Sequence, residues 1–385
     1  MPNLDALAQR LLTHQTSQLE RIRCPYMPHT APYVQYPNGM LLNFTSNDYL
    51  ALSQHPTLIR ATQEAVQTYG LGALGSAIAQ GYTPVHQQLE QALCTWLNTP
   101  RALVFTSGYL AVLAIITALI DQDDFIAVDK QSHACVFDAI RLTQARWQRY
   151  ADDDLTRLES LLQHRTKGAR FIITSGIFSM QGHLARLQQL CALAQQYEAI
   201  VIVDDVHSTG VLGQNGQGSL AQLGLGVEQI PIVIGSLSKG LGTVGAFVAG
   251  NDRMIEAALQ FARPYMFSTT LPSALASASI AAIEIAQCAQ AERAHLQQLG
   301  AYFMQRATQL AIPVLPSSSP IKAVPFSSIA AMQTCAQSLL AENILVSPIR
   351  PPTVARNSAR MRMALTKAHQ FTDIDRLLTA MKTHV

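Results

Sequence analysis

The sequence predicts an α/β fold built on a mostly parallel central sheet, with a smaller α+β domain at the C-terminal end. Three observations carry this. Short apolar runs alternate with helix-like stretches from residue 102 to residue 249. Those runs are continuous rather than polar–apolar alternating, as in strands covered on both faces. After Pro272 the composition changes, and Pro, Ser and isolated strand-like runs replace the regular alternation.

Bulk properties agree. The chain has 385 residues, 49% hydrophobic and 14% charged, which supplies ample core and argues against disorder. Lys and Arg total 27 against 25 Asp and Glu, which excludes a general nucleic-acid-coating role by net charge. The 6 cysteines are scattered without a C-x-x-C pair, and reduced thiols are expected. The first 18 residues lack the apolar core of a secretory signal. Residues 102–120 are uncharged and long enough to raise the question of a membrane span. The turn-like Thr106-Ser107-Gly108-Tyr109 within them favours a buried strand, a loop and a buried helix. A cytoplasmic location is expected.

In chain order, residues 3–23 show helical spacing of Leu4, Leu7, Leu11 and Leu12, and four prolines from Pro25 to Pro37 mark an irregular connector. Met40–Phe44 reads as a strand, His55–Tyr69 as a helix opened by Pro56, and Pro84–Leu97 as another helix. Strands are expected at Ala102–Phe105, Phe125–Val128, Phe171–Thr174, Ile200–Asp204, Ile230–Ile234 and Ala246–Ala249, with a helix at Leu184–Tyr197. Ala274–Gln290 reads as one long helix, and Ala323–Phe326, Ile344–Pro348 and Met361–Leu365 as later strands. The expected organisation is an N-terminal helix and connector (1–45), a large domain (46–285) and a small α+β domain (286–385).

Gly70-Leu71-Gly72-Ala73-Leu74-Gly75 matches G-x-G-x-x-G, but a helix-like segment precedes it where a dinucleotide site needs a strand. A loop lying close to a ligand fits better. Ser236-Leu237-Ser238-Lys239 matches S-x-x-K, yet the companion strings K-T-G and S-D-N are missing from the sequence.

Lys239 is the sharper signal. The chain has six lysines (130, 167, 239, 322, 367 and 382), most of them in polar surroundings. Lys239 instead closes an apolar run and precedes Gly240-Leu241-Gly242. Lysines so placed serve as Schiff-base nucleophiles, although a long side chain can also snorkel to water. Asp204, Asp205 and His207 end the most apolar strand. A carboxylate there needs a cationic partner, and a pyridinium nitrogen is one. A metal held by the same three residues is the alternative. Asp204 and Lys239 lie one strand–helix–strand unit apart, so both face the sheet edge where α/β folds bind ligands. Thr106-Ser107-Gly108-Tyr109 opens a helix whose amides suit phosphate, with Ser236 and Thr269 as further donors. His133 follows another strand and is read either as a ring over a ligand or as a structural group.

With these residues in place, the chain resembles the α-oxoamine synthases, pyridoxal phosphate enzymes of the aspartate aminotransferase fold (fold type I). The resemblance runs from about Arg21 to Leu378. It is carried by Asn43-Phe44-x-Ser46-Asn47-Asp48-Tyr49-Leu50, Asp204-Asp205-x-His207-x-Thr209-Gly210, Ser238-Lys239-Gly240-x-Gly242 and Ile349-Arg350-Pro351-Pro352-Thr353-Val354. The last run points to the subgroup that condenses L-alanine with a pimeloyl thioester in biotin synthesis.

The resemblance implies pyridoxal 5'-phosphate as cofactor and an acyltransferase that works as a homodimer with its site at the subunit interface. Catalysis would fall to Lys239, His133 and Asp204. Lys239 would carry the cofactor and move the Cα proton, Asp204 would bind the pyridine nitrogen, and His133 would stack on the ring. His207 and Ser179 would bind the ring hydroxyl. Gly108, Tyr109, Ser236 and Thr269 would hold the phosphate, with Thr269 coming from the second subunit. Asn47, Arg350 and Arg362 would face substrate carboxylates, and His133, Arg21 and Thr353 would line the substrate site. No metal, membrane or nucleic acid is implied. The sequence departs from the family pattern at Val206 (usually Ala), Ser175 and Gln181 (commonly Glu and Asp) and Ser236 (usually Thr). The loop Gly72–Ala77 also lacks some of the family's glycines. Rival readings are a glycine-using sister synthase, a transaminase and a non-catalytic ligand-binding homologue.

Overall fold

The structure, a computed structural model, describes residues 4–37, 39–164, 167–355 and 357–385. Asn3, at which the spacing opens the first helix, lies outside them. The described residues group into two compact units. One holds Asn47–Ser179 and His183–Leu296, and the other holds the rest, including Met180–Gly182 and Gln297–Val385.

The first unit is organised by a seven-stranded sheet. Its strands in spatial order are Arg101–Phe105, Ala246–Gly250, Ile232–Ser236, Ala199–Asp204, Arg170–Ser175, Phe125–Asp129 and Arg146–Tyr150. Five neighbouring strands, from Ile232–Ser236 to Arg146–Tyr150, run parallel, while Ala246–Gly250 is antiparallel to both its neighbours. The continuous apolar runs follow from burial on two faces. Ile126, Val128, Ile173, Ile202 and Ile234 point into one core, against the helices Gly108–Leu119, Ala134–Thr143 and Asp252–Phe261. The alternate residues Phe125, Ala127, Ile172, Val201 and Val203 point into another, against Leu155–Leu162 and Leu187–Gln196. A third core joins Val104, Val233 and Phe247 to Pro56–Tyr69, Pro84–Leu97 and Ser273–Gln287.

Local chemistry explains the element ends. Pro56 and Pro84 open their helices, where a missing N–H costs nothing. Ser107 caps Gly108–Leu119 by accepting from the Leu110 amide at 3.3 Å, a contact worth about 1 kcal/mol. Several boundaries differ from the sequence reading. The strand expected at Ile230–Ile234 runs from Ile232 to Ser236, because Pro231 brings no N–H to a ladder. Arg146–Tyr150 was not foreseen: it is a polar edge strand with one buried residue. The helix expected over Ala274–Gln290 ends at Gln287, and a separate helix runs from Gln290 to Gln309.

The second unit contains two small sheets. Met27–Pro28, Tyr33–Tyr36, Gly39–Asn43 and Ile344–Leu345 form one, and Ile321–Pro325, Arg360–Ala364 and Ser347–Ile349 the other. The proline-rich connector is thus partly a hairpin rather than irregular chain. The single strand expected at Ile344–Pro348 is split between the two sheets at Val346. The first helix, Leu4–Thr16, is shorter than its spacing suggests and buries none of its residues. Gln18 turns the chain at φ 58° and the Leu19 amide reaches back to the His14 carbonyl, so the helix closes there. Among the described residues, no single helix is long and apolar enough to cross a membrane.

Candidate functional site

At the carboxyl ends of the parallel strands lies a cavity of about 190 Å³. Gly108, Tyr109, His133, Ser179, Asp204, His207, Ser236 and Lys239 all line it. These sequence-predicted residues come from five separate stretches of chain. They meet because each follows a strand of one sheet and therefore emerges at the same edge.

Asp204 ends its strand with its carboxyl almost wholly buried, 7% exposed. Burial pushes its pKa up, against the pull of Lys239, the Val206 amide and His133. The Val206 N–H donates to Oδ1 at 3.3 Å. A buried acid with so little compensation is stable as an anion only if a cation faces it.

Asp205, one residue on, turns the other way. It accepts from the Ser219 amide at 2.9 Å and from the Ser219 hydroxyl, and Gly176 and Gly218 leave the room its carboxylate needs. The acids diverge, and among the described residues no group of three His, Cys, Asp or Glu could hold an ion.

Lys239 follows the Ile232–Ser236 strand, and its Nζ lies 2.8 Å from His207 Nε2. His207 Nδ1 lies 2.7 Å from the Tyr49 hydroxyl, which donates to Asn47 Oδ1 at 3.3 Å. Tyr49 is fully buried and was not among the residues given a role from sequence. The signal was its place in the Asn43–Leu50 run, but its partner lies far along the chain and no spacing links the two.

The helix Gly108–Leu119 points its first turn at the cavity. Ser107 engages the Leu110 and Ala111 amides, while Gly108 and Tyr109 head the helix and line the cavity. This is an anion-binding arrangement. The Tyr109 hydroxyl donates to Asp138 at 2.7 Å, so its proton is already committed. Ser236 Oγ lies 2.9 Å from Ser238 Oγ and accepts from the Ser238 amide at 3.1 Å. His133 caps its helix by accepting from the Cys135 amide at 3.3 Å, and Cys135 lines the cavity as well. Val206 and Ser175, two of the departures, also face the cavity.

Thr269 does not line this cavity. It is exposed and borders a separate small hollow with Thr106, Leu110 and Tyr265. In the other unit, Arg350 donates to the Glu20 carbonyl, its Nε is buried without a hydrogen-bond partner, and Arg21 stands close enough to depress its pKa beyond the effect of burial. The Thr353 amide donates to the Arg350 carbonyl at 3.1 Å. Arg362 is buried on the Arg360–Ala364 strand. One further expectation is corrected: Lys322 is not in polar surroundings but fully buried, donating to the Ser317 carbonyl at 2.7 Å, with its pKa lowered to about 8 by burial. The deeply buried lysine is thus Lys322, while Lys239 is half-buried at the cavity.

The cavity thus offers an anion site at a helix start, a buried acid that requires a cation, and an amine beside a histidine. Residues 40–380 match the model of aminotransferase class I and II. The chain belongs to the class I and II aminotransferases. Within the family it is similar to the 8-amino-7-oxononanoate synthase of Stutzerimonas stutzeri, 40% identical over 375 residues, which cover 97% of this chain and 95% of that one. It is equally similar to the enzyme of that name from Nitrosococcus oceani, 40% identical with 96% and 98% covered. Among solved structures, a Sphingomonas wittichii serine palmitoyltransferase superposes with a TM-score of 0.90 at 26% identity, covering 99% of this chain and 96% of that one. An 8-amino-7-oxononanoate synthase from Francisella tularensis gives 0.80 at 30% identity, covering 89% and 97%. The fold of this aminotransferase-family chain is that of pyridoxal phosphate fold type I, with the antiparallel Ala246–Gly250 strand inside its sheet.

Proposed function

We propose that this chain is a pyridoxal phosphate-dependent acyltransferase that condenses L-alanine with a pimeloyl thioester in biotin synthesis. A bond forms between the alanine Cα and the thioester carbonyl carbon. The thiol leaves, the alanine carboxyl departs as carbon dioxide, and the product is 8-amino-7-oxononanoate. The observation that carries this reading is the meeting of Asp204, Lys239 and the Gly108–Tyr109 helix start in one cavity. Those groups fit the cofactor by their chemistry: the helix start suits a phosphate, the buried acid suits a protonated ring nitrogen, and the amine suits an aldehyde.

When bound, pyridoxal phosphate supplies an electron-withdrawing ring that makes the alanine Cα proton removable. Lys239 takes that proton at Nζ and returns one after carbon dioxide has left. Asp204 keeps a positive charge in place beside its own carboxylate. Gly108, Tyr109 and Ser236 bind the phosphate, with Thr269 reaching the site from a second subunit of a homodimer. Ser179 and His207 hold the ring hydroxyl, and His133 covers the ring. Asn47 and Arg362 receive the alanine carboxylate. Arg21, Arg350 and Thr353 receive the distal carboxylate of the acyl donor. That last assignment is supported by the electrostatic effect of Arg21 on Arg350, which lowers the Arg350 pKa beyond the effect of burial and which an anion would relieve. A cytoplasmic setting agrees with six free cysteines.

The test is Lys239→Ala protein incubated with alanine and pimeloyl-CoA. Product should fall to background, and borohydride should fix a cofactor label on the wild-type lysine only. Sustained product from the variant overturns the assignment. An amino-acid panel with carbon dioxide release separates alanine from glycine as substrate.

A further inference from the structure

Every hydrogen bond between Lys239 and Asn47 runs in one direction. In its ammonium form Lys239 has only donors, so His207 Nε2, 2.8 Å away, must accept. A neutral imidazole that accepts at Nε2 carries its proton at Nδ1. That proton points to the Tyr49 oxygen at 2.7 Å, and the Tyr49 O–H donates onward to Asn47 Oδ1 at 3.3 Å. His207 is 7% exposed and Tyr49 is fully buried, so bulk water is a poor substitute for either bond.

We infer that Tyr49, with its own proton turned to Asn47, is a positioning residue that favours the Nδ1–H tautomer of His207 and so keeps Nε2 the acceptor facing Lys239 while that lysine is a free ammonium. A phenol suits this place because its oxygen both accepts and donates. It takes the Nδ1 proton while Nε2 faces an ammonium. It gives its own proton to Nδ1 when Nε2 must become a donor, as when the lysine is no longer the group in front of it. Phenylalanine supports neither state. It would leave a buried Nδ1–H unpaired, which favours the tautomer that cannot accept from Lys239.

The hydrogen-bond inference stands on geometry alone, while its consequence for catalysis rests on the proposed function. The two are therefore tested separately. In ¹⁵N-histidine NMR of the full chain stripped of cofactor, near pH 8, His207 should carry its proton at Nδ1; a ring protonated at Nε2 overturns the inference. In Tyr49→Phe the Nδ1–H population should drop, and an unchanged tautomer in folded variant overturns it. If that variant does not fold, a fluorotyrosine at position 49 keeps the ring and weakens the oxygen as an acceptor. The His207 Nδ1–H resonance should then shift, and an unmoved resonance overturns the inference. With cofactor supplied, Tyr49→Phe should lower kcat by about tenfold or more while the KM for alanine stays within about twofold. A parallel rise in KM with kcat unchanged would instead assign Tyr49 to substrate binding and overturn the positioning role. Failure of the wild type itself to form product would count against the proposed function and leave the NMR result standing.

Discussion

Gly210 and Gly240 meet backbone to backbone: a Cβ on Gly210, at φ 83°, would lie 3.2 Å from the Gly240 Cα. A Cβ on Gly240 would in turn press into the Thr209 carbonyl. This approach draws the turn that carries His207 against the loop that carries Lys239, and their 2.8 Å hydrogen bond depends on it. Gly240→Ala should therefore separate the two loops and cost about 1–3 kcal/mol of stability, as overpacking does. It should also slow cofactor capture at Lys239 more than it lowers the melting temperature would suggest. Thermal unfolding and the rate of absorbance change on adding pyridoxal phosphate measure the two effects. Wild-type values for both would show that the glycine contact is not what positions the lysine.

Asp204→Asn keeps the shape of the side chain and removes its charge. The asparagine cannot hold a cation beside it, so the ring nitrogen loses its proton and the ring withdraws electrons less strongly. Turnover should fall by about a hundredfold or more. Cofactor binding should weaken less, because the helix start and Lys239 remain. A variant with near-normal turnover would remove Asp204 from the ring-nitrogen role.

Much of this was legible in the sequence because the chemistry sits at strand ends. Asp204 and Lys239 each close an apolar run, and a run that is apolar at every position signals a strand buried on both faces. The meeting of their side chains then follows from topology. Arg146–Tyr150 could not be read, because an edge strand that buries only Tyr150 fully lacks the continuous apolar run that marks its neighbours. The antiparallel direction of Ala246–Gly250 was hidden for a related reason: a strand inside the sheet looks equally apolar whichever way it runs. Tyr49 was missed because its value lies in one hydroxyl, and a hydroxyl's partner is set by three-dimensional packing. Lys322 shows the converse error, a polar residue whose burial the flanking prolines and serines concealed.

Arg350→Ala should act on the acyl donor and leave alanine alone. Arg21 and Arg350 repel each other, and a carboxylate between them would relieve the repulsion. Losing one guanidinium should raise the KM for pimeloyl-CoA by about tenfold while the KM for alanine and the cofactor spectrum stay unchanged. The same variant should discriminate less against an acyl-CoA that lacks the terminal carboxylate. If pimeloyl and unsubstituted acyl donors respond equally, the arginine does not read that carboxylate.

Asp129 should contribute a loss of stability as pH rises from about 4 to about 7, opposed over the same range by His369, whose pKa burial lowers to about 4. Asp129 is fully buried at the end of its strand, and its pKa is raised to about 7, first by burial and then by Asp152, against the Gln131 amide and Lys130. Its Oδ1 accepts from the Gln131 amide at 2.6 Å. The sign follows from proton counting. Between the unfolded pKa near 4 and the folded value, the folded state holds a proton that the unfolded state has released, so raising the pH favours unfolding. A shift of this size corresponds to at most about 4 kcal/mol, fully lost once the pH passes the folded pKa. Glu90, raised to about 7 chiefly by burial, acts in the same direction, so Asp129→Asn should flatten the slope without abolishing it. Urea unfolding of both proteins at pH 5 and pH 8 measures the difference. The variant should lose less stability between the two than the wild type does. An equal loss in both would mean that Asp129 is ionised in the folded protein at both pH values, with its charge matched by groups other than those named.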